Sequence, residues 1–570
     1  MLTLIAAGLW AGFQAVSGAS LYPAGGELRL SGVPDYAQGA LGPDWARIRV
    51  LKTHANPWTV QLQTTPFPLP IRKGEVVFVQ FRARTLSSRD ESGTSAWYMA
   101  VQLNREPWTQ VGASAGGAGK AWRSFHQAFR ADRDFAAGEV EITFHLASRI
   151  QEVEFRDLRA RLLPADTDLS KLPHTELTYE GREPNAPWRK KAEAMIERHR
   201  KGGFTVVVTK GGRPLRGATV QIEMTRHAYP FGTFTEYHVP KNDPDSERFR
   251  RILLSRRFSR LTVPIYWADW GWAGENSRRE YIQTIEWCLK HGLRMKAHNL
   301  LWPSYQYSPQ FLRNLDDAGL RKAIYDALEE RTRTLSKYPF ENVDVLNEIR
   351  TETAFADRLG WNLYVDVFRK ARAAWPKAEL VYNDYSVFEG SQAGGPTTQA
   401  SEALARRLKA TGAPVTMLGW QAHFGEDLTP PERVWQLIDR FQKTVGLPIE
   451  VTEFDVSTRD EKAQADYTRD LLTAWFAHPK TSGFTMWGFW EGSHWKPDGA
   501  MYRKDWTPKP NAKVWDELVT RKWWTKATLK TDGAGRARFR GFFGDYEVRV
   551  GGRTFRAKFD ADGRTLRAAL

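Results

Sequence analysis

Val343-Asp344-Val345-Leu346-Asn347-Glu348 and Ile449-Glu450-Val451-Thr452-Glu453-Phe454-Asp455 are two short runs of mainly β-branched and aliphatic residues, each carrying a glutamate where the run gives way to a loop. Both are flanked by stretches of helical periodicity, as parallel strands are between crossover helices. Six further runs share this form, at 231–234, 260–266, 294–298, 380–383, 417–421 and 483–487, and helical patterns such as 321–335, 361–374 and 431–444 fill the gaps. Eight strand–helix units in succession predict an α/β chain built on a (β/α)8 TIM barrel, whose chemistry collects at the C-terminal ends of the strands. A doubly wound sheet is the alternative, but it gives no reason for polar and aromatic residues at every strand end.

Barrel closure sets both glutamates at one mouth, although 105 residues separate Glu348 from Glu453. Two carboxylates facing each other in opposite protonation states are what cleavage of a glycosidic bond requires, about 5–5.5 Å apart when the configuration is retained. Glu348, after Asn347, suits the acid/base role, because a raised pKa needs a desolvating wall and a neighbouring negative charge. Glu453 suits the nucleophile, provided a nearby histidine or amide holds it ionised. The 24 tryptophans supply platforms for the apolar faces of sugar rings.

The strand ends carry Lys296-Ala297-His298-Asn299-Leu300-Leu301-Trp302, Asp344-Val345-Leu346-Asn347-Glu348, Asn383-Asp384-Tyr385, Gly419-Trp420-Gln421-Ala422-His423, Val451-Thr452-Glu453-Phe454-Asp455 and Met486-Trp487-Gly488-Phe489. In content and order this set resembles glycoside hydrolase family 10, the endo-1,4-β-xylanase family, over roughly residues 230–518. The resemblance implies that Glu348 is the acid/base and Glu453 the nucleophile, with His423 bonded to Glu453 and Gln421 nearby. It implies that His298, Trp302 and Asn347 hold the sugar at the cleavage point, that Trp487 and Trp495 wall that subsite, and that Tyr385 lies on the leaving-group side. Asn383 and Asp384 read as structural strand-end residues. The second strand departs from the family pattern: Thr262-Val263-Pro264-Ile265-Tyr266-Trp267 and Ala268-Asp269-Trp270-Gly271-Trp272 stand where the family has polar sugar ligands, and Pro303 replaces a frequent histidine. Hydroxyl contacts are lost there, with Tyr266, Trp267 and Trp270 left to offer stacking. The expected activity is retaining, endo-acting hydrolysis of β-1,4-xylan or a decorated heteroxylan; another β-linked glycan, or glycan binding without turnover, are the alternatives. No metal or organic cofactor is implied.

Residues 1–19 are apolar and end in small residues, like an export signal that lacks its usual basic start, so a secreted protein, extracellular or periplasmic, is expected. Alternating segments over 20–165 predict a β-sandwich whose last strand resembles jelly-roll carbohydrate-binding modules, with Trp58, Trp97, Tyr98 and Trp108 as candidate stacking residues. Residues 166–228 read as a linker, helix and small β unit, 229–522 as the barrel and 523–570 as a small β appendage. The net charge of +16 is scattered rather than gathered into a basic stripe, which argues against a nucleic-acid partner. The expected partner is a plant cell-wall polysaccharide of xylan type, with no stable membrane insertion beyond the signal segment and a monomeric state. The lone Cys288 excludes an internal disulfide and reads as a buried thiol.

Overall fold

The structure, a computed structural model, describes residues 16–88, 95–118, 122–175, 177–255, 257–390, 393–425, 428–458 and 460–570. The apolar stretch expected as an export signal lies, through residue 15, outside the described residues. The chain divides into two compact units, 1–177 and 178–570.

The first unit is a sandwich of a six-stranded and a five-stranded antiparallel sheet. Its strands alternate in burial, as Trp45–Val50 does, because one face of each sheet must leave water. Phe81 anchors the core, stacked on Phe125 at 4.9 Å between ring centroids and edge-on to Phe144 at 5.0 Å. Trp97 belongs to this core, 4% exposed and packed against Phe125 and Phe155, so it cannot serve as the sugar platform expected of it. Trp58, Tyr98 and Trp108 are exposed.

The second unit contains the barrel. Its strands are β1 (Phe231–Phe234), β2 (Arg260–Pro264), β3 (Arg294–His298), β4 (Phe340–Asn347), β5 (Glu379–Asp384), β6 (Met417–Trp420), β7 (Ile449–Val456) and β8 (Thr481–Met486). They pair in parallel in that order, and β1 pairs with β8 to close the ring. The outer helices follow from apolar spacing and caps. Pro431–Thr444 buries Val434, Trp435, Leu437, Ile438 and Phe441 on one stripe, and the Asp316 and Asp460 side chains accept the first free amides of Asp317–Leu335 and Glu461–Ala477. Cys288 is buried, as expected.

Side chains at alternate strand positions point into the barrel, and here the floor is charged. Lys296 lies 3.1 Å from Asp344 and 3.3 Å from Glu450, Arg260 pairs with Glu450, and Asn342 donates to Glu450 at 2.9 Å. Two cations against two carboxylates leave the cluster neutral, the condition under which buried charge is tolerated.

The connector and the C-terminal appendage, expected as separate pieces, are interleaved. Lys201–Lys210 pairs with Arg536–Phe542 and with Thr565–Ala569, while Thr219–His227 pairs with Lys526–Lys530 and Gly544–Val550. Between the two sheets Phe204 stacks on Phe559 at 4.6 Å and Tyr546 meets Phe559 at 5.1 Å. Arg200 ties this sandwich to the barrel, donating to the Phe476 carbonyl at 2.7 Å with its guanidinium 4.6 Å from the Tyr229 ring. A chain ending at residue 525 therefore strips Thr219–His227 of these partners and leaves Lys201–Lys210 only its short pairing with Arg213–Pro214. We expect it to unfold at clearly lower temperature than the full chain in a circular dichroism melt; an unchanged transition would mean that the appendage folds independently of the barrel.

Candidate active site

Glu348 follows β4 in the left-handed region at φ 58°, a conformation a non-glycine residue keeps only where its surroundings fix it. Its amide donates to the Asn383 carbonyl at 2.9 Å. Its carboxyl accepts Gln421 Nε2 on Oε1 at 2.8 Å and Trp302 Nε1 on Oε2 at 3.1 Å. Burial pushes this carboxyl up to about 7; the Gln421 hydrogen bond opposes the shift and the nearby Glu453 and Asp384 add to it.

Glu453, on β7 and 4% exposed, is held differently. Asn383 Nδ2 donates to its Oε1 at 2.7 Å, and His423 Nε2 lies 3.3 Å from its Oε2. The other ring nitrogen of His423 lies 3.0 Å from Asp455 Oδ2. Burial works against charge on His423, but Asp455 first and Glu453 next outweigh it, raising its pKa to about 10. Both ring nitrogens then carry protons and both donate to carboxylates. Asp455 is correspondingly held below the usual carboxylate range, burial notwithstanding. Ala422, at φ 71°, turns the chain between Gln421 and His423 so that one reaches Glu348 and the other Glu453.

The remaining expected residues gather around this pair. Asn347 accepts from Asn383 at 2.9 Å and sits within 3.5 Å of Gln421, linking the two glutamates through amides. His298 Nδ1 lies 2.7 Å from Asp344 Oδ2 and 3.8 Å from Glu453, so the charged floor orients it. Trp487 stacks on Phe234 at 4.5 Å and meets His298 edge-on at 4.9 Å. Trp495 is 54% exposed, with Nε1 donating to Asp455 at 2.8 Å. Tyr385 stands at the rim on the Glu348 side, its ring under Arg350 and its hydroxyl donating to Thr351 at 3.2 Å.

Sequence reasoning missed Asn383. It is no bystander of the strand end, since one amide group serves both Glu453 and Asn347; its register opposite Asn347 on the neighbouring strand was the available signal. Asp344 and Asp455, which orient the two histidines, stood inside the quoted motifs without a role. At the altered second strand Tyr266 packs against Trp270, His298 and Trp302 with centroids 5.0, 5.2 and 6.2 Å away. Trp270 is exposed, whereas Trp267 is buried beside Arg331 and has no face to offer a sugar. Among the described residues no group of three or more His, Cys, Asp or Glu is arranged to hold a metal ion, and no helix is long and apolar enough to cross a membrane.

A (β/α)8 barrel with two glutamates in contrasting environments at its C-terminal mouth is the architecture of a glycoside hydrolase domain. Residues 274–527, which hold the third to eighth barrel strands, match the model of Glycosyl hydrolase family 10. The match begins beyond the altered second strand. The chain is 28% identical over 381 residues to the anti-sigma-I factor RsgI6 of Acetivibrio thermocellus, covering 64% of this chain and 46% of that protein. It is 28% identical over 344 residues to endo-1,4-beta-xylanase 2 of Arabidopsis thaliana, covering 59% of this chain and 31% of that protein. The chain thus spans less than half the length of these curated relatives. Native xylanase 10B from Thermotoga maritima superposes with a TM-score of 0.45 at 21% identity, over 52% of this chain and 96% of that one.

The His423 clamp has a measurable signature. With a folded pKa of about 10 against 6.5 unfolded, its stabilising contribution is complete below pH 6.5 and declines as pH rises toward 10. Imidazole ¹⁵N spectra should show one histidine still doubly protonated at pH 8.5, and Asp455→Asn should bring it down toward 6.5. A His423 that titrates near 6.5 in the parent would remove the clamp from this account.

Proposed function

We propose that the protein is a secreted, retaining, endo-acting glycoside hydrolase that cleaves β-1,4-xylosidic bonds in xylan or decorated heteroxylan. The observation that carries this reading is the electrostatic contrast between the glutamates: one carboxyl held near pKa 7 by burial, the other gripped by an amide and an imidazolium. The family match over residues 274–527 and the similarity to a xylanase support the substrate class of this reading.

In this mechanism the Glu348 carboxylic acid gives its proton to the glycosidic oxygen as Glu453 attacks the anomeric carbon, so the C–O bond breaks and a glycosyl ester forms on Glu453. Water then enters, Glu348 as carboxylate takes its proton, and the hydroxyl displaces Glu453 to restore the β configuration. His423 and Asn383 hold Glu453 aimed, and Gln421 and Trp302 orient the Glu348 carboxyl. The exposed Trp270 beside Tyr266 favours a glycone subsite that holds its sugar by stacking more than by hydroxyl contacts.

The sandwich supports a second, non-catalytic role in glycan binding. On the outward face of its five-stranded sheet Gln63 and Arg29 meet Glu141 at 2.8 and 3.1 Å, Thr143 donates to Gln61 at 2.9 Å, and His145 lies between the Tyr98 and Trp58 rings. Of these groups the exposed Trp58 and Tyr98 rings and the Arg29 guanidinium reach the surface, where they can meet a polysaccharide chain, while Glu141 lies buried beneath and holds Arg29 and Gln63 in place.

Glu348→Ala and Glu453→Ala should each lose most turnover on xylan, the former by about 10²–10⁴-fold, the usual worth of a positioned acid. Glu348→Ala should recover on aryl glycosides with good leaving groups, and parental activity should fall as pH rises past about 7, where Glu348 loses its proton. Proton NMR during early hydrolysis should show the β anomer first. Near-parental activity of either variant, or initial α anomer, would contradict the assignment.

A further inference from the structure

Glu236 lies two residues beyond β1, at φ 49°, with 4% of its surface exposed. Its partner is Ser493, which donates to Oε2 from the segment after β8. That segment carries Trp487 at one end and Trp495 at the other, and β1 and its loop touch it at several points: Phe234 lies flat against Trp487, Glu236 reaches Ser493, and His238 meets Trp490 edge-on at 5.3 Å. Between them Gly488 takes φ 91°, where a Cβ would collide with Glu236 Oε1 and crowd His494 at 3.2 Å. The glycine is needed both for its backbone conformation and to let the carboxyl close in. The 487–495 segment is therefore shaped around this side chain.

We propose that Glu236 is a positioning residue whose carboxyl fixes the 487–495 segment and, through it, the two tryptophans beside the catalytic pair. The proposal rests on the reading of Trp487 and Trp495 as walls of the substrate cleft. The groups facing the carboxyl are neutral ones. Ser493 donates to it, the Phe489 amide faces it, Tyr237 is the next residue, and His494 is driven down to about 4 by burial, so it carries no charge at neutral pH. Asp455 favours charge on His494, while His423 and Lys509 oppose it. Burial accordingly pushes Glu236 up to about 8, with the Ser493 and Phe489 hydrogen bonds opposing the shift. Because the folded protein keeps a proton that the unfolded chain gives up above about 4.5, folding stability falls as pH rises from there to about 8. Among the described residues no cation is paired with this carboxyl, so its ionisation loosens the segment.

Glu236→Gln keeps the shape and hydrogen-bonding capacity without the proton. In the parent, KM for xylan should rise several-fold between pH 7 and 9.5 beyond any fall in kcat, whereas in Glu236→Gln KM should stay flat and the melting temperature should decline less between pH 5 and 9. Ser493→Ala reaches the same bond from the other side and should raise KM already at pH 6.5 while kcat stays near parental. The melting series needs no substrate, so it separates failure of this inference from failure of the xylanase reading. A Glu236→Gln variant whose KM and melting temperature follow pH as the parent's do would overturn the proposal. So would a Ser493→Ala variant with unchanged KM.

Discussion

His423 sits between two carboxylates, Asp455 at 3.0 Å and Glu453 at 3.3 Å, and the rest of the site is arranged so that this bridge holds. The imidazolium stands between the two buried carboxylates and donates to both. Burial first, with Glu453 and Asp384 adding to it, raises the Glu348 carboxyl to about 7. The amides of Asn383 and Gln421 give the two glutamate carboxyls their directions.

The barrel beneath supplies rigidity by an unusual floor. Lys296 and Asp344 carry the charged layer up to His298, so a histidine at the mouth is oriented by a strand pair in the interior. A half-satisfied network there would cost several kcal/mol, which is why cations and carboxylates are balanced in number. The interleaved β-sandwich holds strands from both sides of the barrel in shared sheets, tying together the chain segments where the barrel begins and ends.

Most of the barrel was legible because each strand is a short apolar run with polar residues at its C-terminal end, and all eight strands lie where that pattern sets them. The two glutamates and their neighbours were legible for the same reason, since parallel strands bring their ends together. What escaped depends on information a local pattern lacks. Trp97 alternates correctly within its strand, but parity does not say which face meets the second sheet. Trp267 reads like Trp270 until Arg331, from a distant helix, covers it. Pairing of Lys201–Lys210 with strands more than 300 residues later leaves no trace in either segment. Asn383 read as a strand-end amide because its bond to Glu453 crosses the barrel mouth.

In the proposed mechanism Glu453 becomes covalently attached to the sugar while Glu348 trades its proton. Incubation of Glu348→Ala with a 2-deoxy-2-fluoro-xylobioside bearing a good leaving group, followed by peptide mass spectrometry, tests it directly. One fluoroxylobiosyl adduct per chain, located on Glu453, is expected. An adduct on another residue, or a variant that turns over the reagent without accumulating any adduct, would contradict it.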